Sequence, residues 1–186
     1  WCEANQEEAT FVNSKAPAIA YAATQNKGGK FLHISSACVW NGSFRADGYP
    51  FEPNDPPTPA CHYAATKAKG DEFLFNLYEG QKDLAILRPR MPYSPVNSNR
   101  NLLSKLRGYE KLIDDPNSIT SADTLVITIR ELIENKDSGL WGRISNVYDV
   151  GVTSPYRVAK MLFEYGLRIQ PRTLEKSSLD EFHTPK

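Results

Sequence analysis

Tyr63 and Lys67 stand four residues apart in Tyr63-Ala-Ala-Thr-Lys67, inside a segment from Ala60 to Tyr78 that reads as helix. That spacing puts the phenol and the ammonium on one helix face. A tyrosine titrates near ~10 and is a poor acid or base at neutral pH, but a lysine ammonium within a few ångströms favours the phenolate. Such a tyrosine can exchange a proton with a carbonyl or an alcohol. The same spacing also describes an ordinary amphipathic-helix pair, so the surrounding residues have to decide. Upstream, the run Lys30-Phe-Leu-His-Ile-Ser-Ser-Ala-Cys-Val-Trp40 follows Gly28-Gly29 and carries Ser35 and Ser36 at its end. It reads as a buried parallel strand feeding a loop. Ligands of open α/β sheets collect at the carboxyl ends of strands, which places the Ser36 hydroxyl where it could hold a substrate oxygen beside Tyr63. The plainer role for both serines is to satisfy backbone groups at a strand end.

Two further patterns bear on chemistry. Pro17 lies within a helical stretch expected from Asn5 to Gln25, and a proline inside a helix leaves the carbonyl four residues earlier, that of Asn13, without its partner. A freed Asn13 carbonyl could hold a water that bonds Lys67 and opens a proton path from Tyr63 to solvent; the plainer reading is that Pro17 starts a helix and Asn13 is its solvated lead-in. Asn101 and Lys105 are four apart on an expected helix, Asn101 to Gly108, whose start follows Asn99-Arg100. This face is expected to lie under an anion, with Arg100 or Asn101 bonding it, or else to be a solvated amphipathic surface.

The elements that would position these residues alternate. After the first helix come a strand at 30–35, a long loop at 37–58, a helix at 60–77 and a strand at 83–88. The helix at 101–108, a short strand at 111–113, a helix at 122–135, a strand at 143–148 and a helix at 155–165 follow. Such alternation predicts a parallel α/β sheet. The loop Gly48 to Pro59, rich in proline and acidic residues including Glu52 and Asp55, reads as a solvated turn cluster; at this length a loop in a compact domain is usually functional.

The 186 residues are enough for one domain with a sizeable core, and 40 % apolar with 11 % aromatic residues is a globular composition. Twenty-two basic residues balance twenty-two acidic ones, which gives no electrostatic footprint for nucleic acid. Cys2, Cys38 and Cys61 are an odd set without metal-ligand spacing and fit a reducing, cytoplasmic setting. The scattered His33, His62 and His183 suggest no metal site, and no run approaches the ~18 apolar residues of a membrane span.

Ser36, Tyr63 and Lys67 resemble the Ser/Thr, Tyr and Lys positions of the extended short-chain dehydrogenase/reductases, enzymes of nucleotide sugars that use a nicotinamide cofactor. Val12-Asn13, Ser35 to Trp40, the Pro-rich loop, Thr66-Lys67 through Glu72, Leu87-Arg88-Pro89-Arg90 and Asn146 to Gly151 come in that family's order. Trp1-Cys2-Glu3, Arg90-Met91-Pro92, Asn99-Arg100-Asn101 with Lys105 and Tyr109, and Pro116-Asn117-Ser118-Ile119-Thr120 are similar to the dTDP-4-dehydrorhamnose reductase group, in particular its bifunctional nucleotide-rhamnose epimerase/reductase branch. Ala37-Cys38-Val39-Trp40-Asn41 and Tyr93-Ser94-Pro95 depart from that branch.

The resemblance implies a Rossmann-like, doubly wound parallel sheet, present in part. Residues 1–90 would be the C-terminal portion of the dinucleotide-binding domain, and 91–186 a small substrate-binding part interleaved with the last sheet elements. It implies NADPH or NADH as cofactor, with Tyr63, Lys67, Ser35 and Arg90 contacting it, and Ser36, Arg100, Asn101 and Lys105 on the substrate. Tyr63 would donate the proton, Ser36 orient the ketone, Lys67 grip the ribose and Asn13 complete the proton path, while Cys38 and Lys105 would serve epimerisation at C3 and C5. A nucleotide-sugar substrate and a homodimer are the implied partners. The glycine-rich turn that opens this family is absent, so the chain reads as lacking the first βαβ units, and its C-terminus reads as stopping without a closing strand or helix. A nucleotide-sugar 4-epimerase or 4,6-dehydratase, and a non-catalytic regulatory homologue, are the other readings.

Overall fold

A computed structural model describes residues 1–78, 81–167 and 175–177. The first helical run is continuous, as expected, but its register slips. Helix α1 (Gln6–Thr10) passes through one wide π turn (Phe11–Lys15) into α2 (Ala16–Gln25), and the Ala16 N–H donates five residues back to Phe11. Pro17, in the first turn of α2, has no N–H to offer, and a widened turn ahead of it is a way to keep the helix going. The wide turn pushes Asn13 and Ser14 against helix α3 (His62–Tyr78). There the Asn13 amide donates to Thr66 Oγ1 at 3.1 Å, and the fully buried Ser14 hydroxyl donates to the Thr66 carbonyl at 2.8 Å. The Asn13 carbonyl itself faces Gly70, where a Cβ would stand 2.3 Å from its oxygen.

Strands β1 (Phe31–Ile34), β2 (Leu84–Pro89) and β6 (Arg143–Val147) form the main sheet in the order β1-β2-β6, all parallel. All six residues of central β2 are buried, as a strand covered on both faces must be. Its side chains alternate between two cores. Leu84 and Ile86 pack with Tyr21 of α2 and Leu74 of α3; Ala85 and Leu87 pack with Val147 and with Leu132 of α5 (Ala122–Glu134). Leu125, Ile129 and Leu132 keep the helical spacing that turns one face of α5 to the sheet, and Ser121 caps its start by accepting from the Thr124 N–H.

Between β2 and β6 the chain leaves the sheet. Strand β3 (Pro92–Tyr93) pairs with β5 (Thr120–Ser121), α4 is confined to Leu102–Leu106, and β4 (Lys111–Ile113) pairs with β7 (Glu175–Ser177). A small core of Leu106, Leu112 and Ala159 ties α4 and β4 to α6 (Pro155–Glu164), whose cap, Ser154, accepts from Arg157 and donates to Asp114 at 2.6 Å. Strand β7 corrects the expected open end as far as Ser177; residues 178–186 lie outside the described residues. The two-residue strands were invisible in the sequence because two residues carry no period.

Gly70→Ala must push Asn13 or helix α3 aside, and it is expected to cost about 1–3 kcal/mol despite alanine's better helix propensity. Urea unfolding of the two proteins measures it; equal midpoints would show that the helices can part freely.

Candidate active site

Strand β1 delivers Ser35 and Ser36 to the carboxyl end of the sheet, both buried. Ser36 is extended and caps a 3-10 turn over Ala37–Val39, its Oγ accepting from the Cys38 N–H at 3.1 Å. Its hydroxyl also faces the phenol of Tyr63, on the first turn of α3, and favours the phenolate. Lys67, one turn on and 9 % exposed, sends its Nζ to the Ile34 carbonyl at 3.0 Å. The structure thus gathers Ser36, Tyr63 and Lys67 where β1 meets α3.

Their electrostatics differ from the expectation. Burial is the largest influence on Tyr63 and pushes its pKa up; Ser36 pulls the other way, and Cys38, Cys2 and Cys61 add to the rise. Lys67 is not among the largest influences on the phenol. Its ammonium is drawn to the Ile34 carbonyl, burial lowers its pKa, and Asp71, one further turn along α3, opposes that lowering. The phenol is therefore held protonated rather than drawn toward phenolate.

Three features of this site escaped the sequence reading. Glu3 Oε1 accepts the N–H of His62 at 2.8 Å and that of Tyr63 at 3.4 Å, so a carboxylate from the chain's first residues caps the helix that carries the tyrosine. No local signal joins residues so far apart. Cys2 and Cys61 join Cys38 around Tyr63, all three as free thiols. His62 Nε2 lies 3.0 Å from the Gln6 carbonyl and 3.2 Å from Thr10 Oγ1, so it is a half-buried tie to α1.

Below the triad lies a buried ion pair. Arg88 Nε donates to Asp71 Oδ2 at 2.8 Å, with side chains 3 % and 2 % exposed. The guanidinium also donates to the Pro53 carbonyl at 2.8 Å and stacks 4.8 Å from Trp40, which in turn stacks on Phe51 with ring centroids 5.3 Å apart. Asn146 Nδ2 holds the Phe51 carbonyl, and Arg45 pairs with Asp55. The Pro-rich loop is thus pinned to the sheet edge at Phe51 and Pro53, while most of its residues stay exposed, as a solvated turn cluster should. Ser35, expected at the cofactor, lies beside Asp71 and favours its charged form without closing a well-formed hydrogen bond.

A cavity of about 210 Å³ opens at the carboxyl ends of β2 and β6, lined by Ala37, Phe44, Arg90, Asn117, Asn146 and Tyr148 among others. Arg90 Nη1 donates to the Ala37 carbonyl at 3.2 Å, while Arg90 Nε and Asn146 Oδ1 are buried without partners. The expected substrate residues do not line it. Asn101 spends its amide hydrogens on the Ser94 and Val96 carbonyls at 2.7 and 2.8 Å, and its oxygen accepts from the Ser94 N–H at 3.1 Å. It folds the loop at 94–96, leaving no free amide for the anion it was expected to bond. Arg100 and Lys105 are exposed. Among the described residues no helix is long and apolar enough to cross a membrane, and no group of three or more His, Cys, Asp or Glu is placed to hold a metal.

A parallel sheet flanked by helices, with serine, tyrosine and lysine gathered at its strand ends, is a Rossmann-like arrangement. The profile of the RmlD substrate binding domain matches residues 1–184, and the chain belongs to that family. It is 29 % identical over 169 residues to the bifunctional dTDP-4-dehydrorhamnose 3,5-epimerase/dTDP-4-dehydrorhamnose reductase of Arabidopsis thaliana, covering 89 % of this chain and 54 % of that protein. Against a dTDP-4-dehydrorhamnose reductase of Mycobacterium tuberculosis the identity is 26 %, over 87 % of this chain and 54 % of that one. The crystal structure of a dTDP-4-dehydrorhamnose reductase from Bacillus anthracis in complex with NADP shares the fold, with a TM-score of 0.75, 23 % identity, and 97 % of this chain set against 62 % of that one. The chain spans about half the length of the Arabidopsis and Mycobacterium relatives.

His33, 3.8 Å from Asp71, is lowered from 6.5 to about 3, first by burial and then by Lys67. The fold holds it neutral while the unfolded chain protonates below ~6.5, so its contribution is complete above that pH and is lost as pH falls toward 3. Asp71, raised by burial, acts with the opposite sign. Comparing unfolding free energies of wild type and His33→Gln from pH 7 to 4 isolates the histidine. The wild type is expected to lose up to ~1.4 kcal/mol more per pH unit below 6.5, and parallel curves would contradict the buried neutral ring.

Proposed function

We propose that the chain carries the proton-donating and substrate-side half of an enzyme that reduces the C4 ketone of a nucleotide-linked 4-dehydro-6-deoxy sugar, with accompanying 3,5-epimerisation. The observation that carries this is the phenol of Tyr63 facing the Ser36 hydroxyl at the carboxyl end of β1. Ketone reduction consumes a proton at oxygen, and a phenol whose pKa is raised by burial enters the reaction holding one. Ser36 orients the ketone oxygen toward it. The names of the relatives, epimerase/reductase and reductase, support the same chemistry.

A reduced nicotinamide supplies the hydride when bound. Arg90 Nε and Asn146 Oδ1, buried and unpaired beside a cavity, fit a polar ligand at these strand ends, and the NADP held by the Bacillus anthracis reductase favours NADPH over NADH. Lys67 and Tyr63 would hold the nicotinamide ribose, and Arg90 would lie at the cavity rim. Asn13, whose carbonyl reaches α3 one turn from Lys67, would return protons through a water to Lys67 and so to Tyr63. Residues 1–90 would complete a dinucleotide-binding domain and 91–186 the substrate-binding part. Arg100 and Lys105 would reach the sugar nucleotide, and Asn101 would shape the loop beside them. Three free cysteines suit a cytoplasmic setting, and exposed Phe11, Val12 and Ile19 suit a homodimer. The neutral charge balance offers nucleic acid no field. Ala37-Cys38 after Ser36, in place of an Asp-Glu pair, disfavours a 4,6-dehydratase, and the facing of Ser36 and Tyr63 disfavours a non-catalytic homologue.

Turnover of a 4-dehydro-6-deoxy sugar nucleotide, read from loss of reduced nicotinamide in the full-length enzyme, tests the assignment. Tyr63→Phe is expected to lower kcat by ~10²-fold or more with only a small loss of cofactor binding, since Lys67 keeps its hold on the ribose, while Lys67→Met weakens both strongly. Near-normal turnover in Tyr63→Phe would overturn it.

Epimerisation needs a base and an acid on opposite faces of carbons flanking the ketone, and Cys38, held in the turn that Ser36 caps, is the proposed partner of Lys105. Without reductant, solvent deuterium is expected to enter C3 and C5, and to do so at least ~10-fold more slowly in Cys38→Ala. Undiminished incorporation would reduce the chain to a plain 4-reductase.

A further inference from the structure

The most heavily buried charges of the described residues are not the ones that face a substrate. Asp71 is 1 % exposed and Arg88 3 %, and their pairing at 2.8 Å uses one carboxylate oxygen, Oδ2. The other, Oδ1, is buried without a hydrogen-bond partner, 3.8 Å from His33 Nε2. A buried, unused carboxylate oxygen is costly unless a charge answers it. Lys67 stands four residues before Asp71 on α3, hence on the same face, and is 9 % exposed with its Nζ on the Ile34 carbonyl. A carbonyl can position an ammonium, but it supplies no countercharge.

We infer that Asp71 is a positioning residue for Lys67: Arg88 clamps one carboxylate oxygen from β2, and the other is left to answer the Lys67 ammonium and keep it charged beneath Tyr63. The purpose of that charge rests on the function proposed above; its existence does not. Arg88 is itself fixed by the Pro53 carbonyl and the face of Trp40, so the clamp is anchored in the loop that closes over the sheet edge. The groups around Lys67 are Asp71 from α3, His33 and the Ile34 carbonyl from β1, and Arg88 behind Asp71 from β2, with Tyr63 one turn back along α3. With His33 neutral above about pH 3, and Arg88 of the same sign as the lysine, Asp71 is the one carboxylate among them. Asp71 accordingly opposes the effect of burial on Lys67, and Lys67 does the same for Asp71.

The test is the titration of Lys67 in the chain as it stands, followed by NMR of its ε-carbon in protein labelled at lysine and assigned by comparison with Lys67→Met. Asp71→Asn is expected to lower the Lys67 midpoint by at least one pH unit, a tenfold easier deprotonation. Because the single change strands the Arg88 guanidinium and can prevent folding, Asp71→Asn/Arg88→Gln replaces the pair by two neutral hydrogen-bonding groups, and the midpoint is expected to fall there too. A Lys67 midpoint unmoved in the folded double variant would overturn the inference and leave Asp71 as a structural partner of Arg88 alone. None of these measurements depends on turnover, so a failure of the reductase assignment would appear separately, as activity retained in Tyr63→Phe.

Discussion

The ion pair between Asp71 and Arg88 is the interaction through which the other parts of the molecule are tied. One partner belongs to the helix that carries Tyr63 and Lys67, the other to the central strand, and removing either from such a pair typically costs ~3–5 kcal/mol because a charge is left buried and alone. Arg88 extends the connection outward. Its bond to the Pro53 carbonyl and its contact with Trp40 fix the loop between β1 and α3, and Phe51 and Asn146 lock that loop to the end of β6. Helix, strand and loop are thereby held as one frame, and the triad is built on it.

A second constraint holds the same helix from its far side. Helix α3 lies so near the wide turn at 11–15 that only glycine fits at position 70, and Thr66 receives bonds from both Asn13 and Ser14. Pro17 is upstream of this, since a helix without its π turn would present Asn13 and Ser14 at a different angle. Glu3 adds a cap at the start of α3. Tyr63 and Lys67 therefore sit on a helix braced at its start, along its side and from the sheet, as a site that must keep a hydroxyl and a phenol aligned requires.

Much of this was legible in the residues. Apolar runs of strand length and amphipathic stretches of helical period placed β1, β2, β6, α3, α5 and α6 within a residue or two, because each long element repeats its period several times. The Tyr63–Lys67 spacing and the serines at the strand end announced the site. What stayed hidden was set by distant partners. Glu3 on His62 and Asp71 on Arg88 join residues with no pattern between them, and Asn101 read as an anion ligand because its commitment to Ser94 and Val96 depends on a loop shape no local rule encodes. Cys2 and Cys61 looked incidental for the same reason.

The most instructive difference concerns the sign of an electrostatic effect. Four-residue spacing on a helix argues that Lys67 should draw Tyr63 toward phenolate, which holds for two side chains in open solvent. Inside the fold the two groups have better claims elsewhere: the ammonium on a carbonyl and near a carboxylate, the phenol on a serine. Burial then acts on both in the direction of neutrality, raising the acid and lowering the base. A neutral phenol is the form that gives a proton away, whereas a phenolate is the form that takes one. A neutral phenol suits the proton-donating role proposed for Tyr63, and burial of the ring, more than the four-residue spacing from Lys67, holds it in that form.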